Sequence, residues 1–132
     1  MPTALIVEDE PEANRLLAMI VQLKGYTTRS AFTGNEAIAA IKDERFDIVF
    51  LDLMLPDTNG YEVCRLIRGR PESHTTPVVV VTARLVDENR AKSAEVGADS
   101  FIPKPYTPGQ IFEALALADA ARSERAIGSS NE

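Results

Sequence analysis

Short uninterrupted apolar runs alternate along the chain with longer stretches in which apolar residues recur every third or fourth position, and the alternation repeats five times. Uninterrupted runs predict strands buried on both faces of a parallel sheet, and helical recurrence predicts helices packed against it. The first run is Ala4-Leu5-Ile6-Val7, followed by a predicted helix from Pro11 to Lys24 with Leu16, Leu17, Ile20 and Leu23 at helical spacing and Gly25 as its stop. Tyr26 to Ala31 reads as a weaker, alternating strand, and Thr33-Gly34-Asn35-Glu36 as a capping box opening a helix that carries Ala37, Ile38, Ala40 and Ile41. Ile48-Val49-Phe50-Leu51 is the most strand-like run; a Pro56 to Gly60 loop and a short helix from Tyr61 to Arg68 come after it. Pro77 precedes the valines Val78 to Val81, a fourth strand. Asp87 to Val96 predicts a polar helix closed by Gly97, and Phe101-Ile102 a short last strand. Thr107-Pro108-Gly109-Gln110 then supplies a cap, a first-turn proline and a glutamine at the third position, opening a helix with Ile111, Phe112, Leu115 and Leu117.

Strands alternating with helices predict an α/β protein, a five-stranded parallel sheet doubly wound by helices on both faces. Residues 1–122 form the expected domain, and the small, polar and charged stretch 123–132 is expected to fray or to begin a linker. A length of 132 residues, 45% of them apolar and 26% charged, suits one ordinary soluble domain. Twenty acidic residues against 14 basic ones leave a net charge of −6, which argues against direct nucleic-acid binding. One Cys and one His exclude an internal disulfide and a Cys/His zinc site. No apolar stretch approaches the ~20 residues that span a bilayer, and no signal peptide opens the chain, so the expectation is a cytoplasmic protein without membrane attachment.

Ligands of such sheets bind beyond the carboxyl ends of the strands. Glu8, Asp9 and Glu10 follow the first run, Asp52 the third, Thr82 the fourth and Lys104 the fifth. If the strands are parallel, these residues converge on one edge. Carboxylates gathered there repel one another, and one would take up a proton unless a cation intervened. A hard divalent ion such as Mg2+ takes oxygen ligands, commonly one or two carboxylates, waters and a phosphate. With Lys104 as a fixed positive charge and the Thr82 hydroxyl as a donor, the set suits a dianionic phosphoryl group beside a metal.

Val7-Glu8-Asp9-Glu10, Leu51-Asp52-Leu53-Met54-Leu55-Pro56-Asp57, Val81-Thr82-Ala83 and Lys104-Pro105, with Asn59-Gly60-Tyr61-Glu62 and Gly97-Ala98-Asp99, closely resemble the signature of bacterial two-component response-regulator receiver domains. The resemblance covers residues Thr3 to Ala121, with the motifs in order. It implies the flavodoxin-like strand order 2-1-3-4-5 with five helices. It also implies that Asp52 takes a phosphoryl group from the phosphohistidine of a sensor histidine kinase or phosphotransfer protein. Asp9, Asp52 and the backbone carbonyl of Met54 would hold Mg2+, with Glu8 acting largely through water, and Lys104 would pair with a phosphoryl oxygen. Thr82 and Phe101 would form the switch. The phosphoryl group draws the Thr82 hydroxyl, Phe101 turns into the vacated space, and the face of the fourth helix, fifth strand and fifth helix changes for a downstream protein partner or output domain. Many relatives have Tyr at the Phe101 position, so any hydroxyl contribution is lost here. The resemblance further implies a cis Lys104-Pro105 bond, and gives Met54 and Arg84 the variable positions that tune dephosphorylation.

Other readings follow from the same residues. A metal-dependent phosphatase of the haloacid-dehalogenase type also uses an Asp nucleophile after a strand, but has a second Asp where this chain has Met54. A flavodoxin-like electron carrier would need a Ser/Thr/Gly-rich phosphate loop where Glu8-Asp9-Glu10 stand, and a pseudo-receiver would not need the acid, hydroxyl and lysine set. Glu10 and Glu12 read as first-turn helix charges, Cys64 as a buried inert thiol and His74 as an exposed loop residue. Arg84, Arg90 and Lys92 read as a solvated helix face or part of a partner surface.

Overall fold

The computed structural model of the chain describes residues 1–83 and 86–130, side chains excepted at 86–88 and 124–130. The elements in order are β1 Thr3–Val7, α1 Pro11–Gln22, β2 Thr27–Ala31, α2 Gly34–Asp43, β3 Ile48–Leu51, α3 Gly60–Gly69, β4 Val78–Thr82, α4 Val86–Glu95, β5 Ser100–Pro103 and α5 Pro108–Ser130. All five strands pair in parallel, in the order β2-β1-β3-β4-β5 expected from the resemblance. α5 continues beyond Arg122, where the sequence pattern ends the domain; no proline between Ser123 and Ser130 interrupts its hydrogen-bond ladder. Arg84 lies outside the described residues.

The period-two alternation of the strands separates the core into two halves. Ala4, Ile6, Phe50, Val79 and Val81 face one side and pack with Leu17, Val21, Ile111 and Leu115 of α1 and α5. Leu5, Val7, Val49 and Leu51 face the other, against Ala37 and Ile41 of α2 and Val63, Cys64 and Ile67 of α3. Local signals fix the helix ends. The Thr33 hydroxyl accepts from the Glu36 amide, and Thr107 and Gln110 exchange reciprocal capping bonds. Gly25 and Gly97 close α1 and α4 at φ 86° and 103°, where a Cβ is disfavoured. Among the described residues no helix is long and apolar enough to cross a membrane.

Helical spacing alone does not say which leucines of α1 and α5 are buried. On α1, Leu17 and Ile20 are buried, but Leu16 and Leu23 are 55% and 75% exposed; the buried stripe is Asn14, Leu17, Ala18 and Val21, with Ile20 at its margin. Leu117 on α5 is likewise exposed, while Ala114, Leu115 and Ala118 carry the contact. Leucines on α1 and α5 fall on more than one face of the helix, and only the sheet beneath selects which face is buried. Cys64 is buried, its thiol donates to the Val96 carbonyl, and burial pushes its pKa up. His74 is exposed in the α3–β4 loop, one ring nitrogen near the Pro71 carbonyl.

Candidate functional site

Register brings the candidate residues together. Val7 of β1 pairs with Leu51 of β3, so the residues that follow them, Glu8 and Asp52, leave the sheet side by side; the Asp52 amide still donates to the Val7 carbonyl at 2.9 Å. Thr82 pairs with Pro103 at the ends of β4 and β5, and the Lys104 amide donates to the Thr82 carbonyl at 2.8 Å. The Lys104-Pro105 bond is cis.

Lys104 joins the two acids. Its Nζ donates to Glu8 Oε1 and, at 2.9 Å, to Asp52 Oδ2. The second Asp52 oxygen, Oδ1, accepts from the Met54 amide at 3.0 Å, which orients the carboxylate. Glu8 and Asp52 are 4% and 6% exposed, so the carboxylate pair sits in a low-dielectric rim with one cation between its members. Asp9, Glu10, Met54, Leu55, Pro56 and Ala83 complete a cleft of about 450 Å³ over Glu8, Asp52 and Lys104.

Thr82 is fully buried at its strand end and is not part of the cleft lining; Ala83 is. Phe101 stands further off. Its half-buried ring packs against the cluster of Leu53, Tyr61 and Val80, with the Arg90 guanidinium 5.1 Å from the ring centre. Glu10 caps α1 by accepting from the Glu12 amide, in keeping with a charge that does no chemistry.

The electrostatics follow from this crowding. Burial pushes Glu8 up to about 7; the Lys104 hydrogen bond opposes the rise and the nearby Asp52 charge adds to it. Burial alone would lower Lys104, but its hydrogen bonds to Asp52 and Glu8 outweigh that and its pKa is raised. One lysine therefore holds its own charge firmly without fully neutralising two buried acids. The donor set consists of hard oxygens with an excess of negative charge, which fits a divalent ion such as Mg2+. Among the described residues, however, no three acidic, His or Cys side chains already stand as a preformed ligand cluster. Asp9 is exposed and lines the cleft together with Asp52.

Glu8 makes a measurable prediction. Its folded pKa lies above the unfolded value of 4.5, so the folded state binds this proton more tightly. The resulting stabilisation is complete below the unfolded pKa and is lost as pH rises through about 7, a change of up to about 3 kcal/mol. Subtracting the unfolding free energy of Glu8→Gln from that of the metal-free wild type should show this fall between pH 4.5 and 7.5, because carboxylates remote from Glu8 cancel and what remains belongs to Glu8 and its coupling to Asp52. A flat difference across that window would mean that Glu8 stays ionised.

Three further residues shape the rim: Asn14, which no motif includes, and Gly60 and Asp57, which belong to the motifs of the resemblance without a role of their own. Asn14, on the buried face of α1, donates through Nδ2 to the Ile6, Glu8 and Ala31 carbonyls and accepts from Ser30, tying the ends of β1 and β2 together. A polar residue in phase with Leu17, Ala18 and Val21 was the available signal. Gly60 lies against the Asp52 backbone, where a Cβ would stand 2.6 Å from the Asp52 carbonyl oxygen. Asp57 reaches from the β3–α3 loop to α2, accepting from the Gly34 and Asn35 amides at 2.7 and 2.8 Å. Those backbone hydrogen bonds, Gly34 first, lower its pKa.

Comparisons with known proteins place the chain in a family. The family model of the response regulator receiver domain matches residues 4–116. The transcriptional regulatory protein ResD of Bacillus subtilis is 40% identical over 107 residues, covering 81% of this chain and 43% of ResD. The chain thus spans less than half the length of that relative. A CheY-like response regulator receiver domain protein from Methanospirillum hungatei superposes with a TM-score of 0.84 at 29% identity, over 94% of this chain and 98% of its own. The receiver domain of sensor histidine kinase PA1611 from Pseudomonas aeruginosa, solved with a magnesium ion coordinated in its active-site cleft, shares the fold at a TM-score of 0.79 and 24% identity, over 86% of this chain and 93% of its own. With a family model spanning nearly all of the sheet and its helices, and with the acids and lysine of the strand ends in contact, the chain belongs to the response regulator receiver domain family of two-component signalling.

Proposed function

We propose that Asp52 accepts a phosphoryl group from the phosphohistidine of a sensor histidine kinase or phosphotransfer protein in a Mg2+-dependent reaction, and that the modified domain presents a changed surface to a downstream partner or output domain. The observation that carries this reading is the contact of Asp52 with Lys104 at the strand ends, beside Glu8 and over an open cleft. A carboxylate oxygen of Asp52 attacks phosphorus, the P–N bond to the donor imidazole breaks, and its electron pair returns to the ring nitrogen. The Met54 amide orients the carboxylate. Lys104 can shift its hydrogen bond from Asp52 Oδ2 to a phosphoryl oxygen without leaving the cleft. The transition state is loose and anionic, so positioning and charge compensation supply most of the acceleration. Asp9, Asp52 and the Met54 carbonyl would hold Mg2+, with Glu8 acting through water; the ion would offset charge on the phosphoryl oxygens.

The switch in this reading begins at Thr82, whose buried position requires the residue to turn toward the phosphoryl group. Phe101 then moves into the space released, away from the Arg90 guanidinium, and coupling is steric because its ring has no hydroxyl. The face formed by α4, β5 and α5 meets the partner. ResD is a transcriptional regulatory protein of which this chain matches 43%. A phosphatase reading has no support at Met54, an apolar side chain that cannot act as acid or base.

Incubation with Mg2+ and acetyl phosphate, followed by intact mass, tests the proposal. The expected result is one phosphoryl adduct per chain, absent when EDTA is included and removed by hydroxylamine as an acyl phosphate should be. Continuous phosphate release from many phosphoesters, with no adduct accumulating, would identify a phosphatase instead.

A further inference from the structure

We propose that Asp57 is a positioning residue for phosphoryl transfer, a tether that fixes the β3–α3 loop on the N-terminus of α2 and thereby sets the Met54 backbone beside Asp52. The inference rests on the reading of Asp52 as phosphoacceptor. The loop from Leu53 to Asn59 carries the Met54 amide that donates to Asp52 and the Met54 carbonyl that would offer a ligand to Mg2+. Near the base the loop is closed by the Gly60 amide donating to the Leu53 carbonyl at 3.0 Å and by an isolated antiparallel bridge between Met54 and Asn59. Asn59 itself caps α3. The tip is joined to α2 by Asp57.

Each Asp57 oxygen takes one amide of α2, Oδ1 from Gly34 and Oδ2 from Asn35. Thr33 already serves the Glu36 amide. Asp57 therefore satisfies two further first-turn donors that the helix cannot pair internally, and it does so from a loop 22 residues away in sequence. Two bonds from a planar carboxylate fix orientation as well as distance, and the positive end of the helix dipole favours the charge. The approach is close: a Cβ at position 34 would run into Thr58 Cγ2 and come within 3.2 Å of Asp57 Oδ1, so an added methyl group would push on the two loop side chains that face it. Loop and helix are thus held by paired hydrogen bonds and by close packing of Thr58 and Asp57 on Gly34. Groups that orient ligands from behind commonly change metal affinity or activity on the order of tenfold or more when removed.

The test uses metal-free and metal-loaded full chain. In Asp57→Ala, hydrogen exchange of the Gly34, Asn35 and Met54 amides should quicken without Mg2+, and the Mg2+ concentration at half-saturation, followed by amide chemical shifts with no phosphodonor, should rise on the order of tenfold. Phosphorylation by acetyl phosphate should slow at low Mg2+ and recover at high Mg2+. Asp57→Asn retains one acceptor oxygen and should restore part of the shift, and Gly34→Ala should reproduce it from the other side. Faster exchange with unchanged Mg2+ half-saturation would reduce Asp57 to a helix cap and overturn the proposal. A wild type that never forms an adduct would refute the phosphoacceptor reading, while the metal titration would still decide whether Asp57 positions the loop.

Discussion

Asp52→Asn should abolish the phosphoryl adduct completely without destabilising the domain. Asparagine is nearly isosteric with aspartate, and its carbonyl oxygen can still accept the Met54 amide that now binds Oδ1. The amide is not a nucleophile toward phosphorus and gives Lys104 no carboxylate partner at Oδ2. In most folds, removal of one member of a buried ion pair is strongly destabilising because it strands the other. Here the lysine keeps Glu8, and the removed charge is one that raises the Glu8 pKa. The substitution relieves repulsion between two buried acids, so stability near pH 7.5 should hold or rise by about 1 kcal/mol. Intact mass after acetyl phosphate treatment and thermal unfolding measured on the same sample read the two effects separately. A persistent adduct would move the nucleophile elsewhere, and a Tm several degrees below wild type would make Asp52 a structural residue first.

Gly60→Ala should lose both stability and phosphorylation. The added Cβ would sit 2.6 Å from the Asp52 carbonyl oxygen, 2.8 Å from Leu53 Cα and 3.2 Å from the Asp52 carbonyl carbon. All three are backbone atoms, so no side chain can swing away to make room. Overpacking of this kind costs about 1–3 kcal/mol, which for a domain of this size lowers Tm by roughly 5–10 °C. Relief can come only by moving α3 or the Asp52–Leu53 backbone, and a displacement near 1 Å at a reacting group costs on the order of 10²-fold in rate. Gly69→Ala is the control. It lies in the same helix with nothing within 4 Å of its Cβ position and no positive φ, so it should leave the adduct rate unchanged and Tm equal or slightly higher. Equal behaviour of the two variants would mean that the helix yields easily at Gly60.

The elements were legible where their signals are local. The valines of β4, the Thr107–Gln110 capping box and the glycine stops at Gly25 and Gly97 each act within a few residues, and each stands in the structure at its expected place. The candidate site was legible because parallel strands deliver their carboxyl ends to one edge, so Glu8, Asp52 and Lys104 could be grouped before any contact was known. The resemblance then supplied the roles. Packing was less legible. Leu16 and Leu23 on α1 and Leu117 on α5 are exposed, although each fits a helical stripe. Leu16 instead lines an apolar cleft of about 460 Å³ with Phe50, Lys104, Pro105 and Tyr106 beside the site.

The sequence by itself determined the alternation of strands and helices, the edge of the sheet at which chemistry could gather and the residue types present there. These are properties of short windows, in which propensity, capping and hydrophobic period agree. Tertiary structure alone decided how those residues meet. It placed Lys104 between Glu8 and Asp52, residues 96 and 52 positions away, and left Thr82 buried and Asp9 at the cleft edge. It also turned Asn14 inward to hold two strand ends and sent Asp57 to the start of another helix. The physical reason is that a hydrogen bond or a repulsion depends on ångström separations between distant segments. Those separations come from strand register and helix rotation, and neither is written in any one stretch of chain.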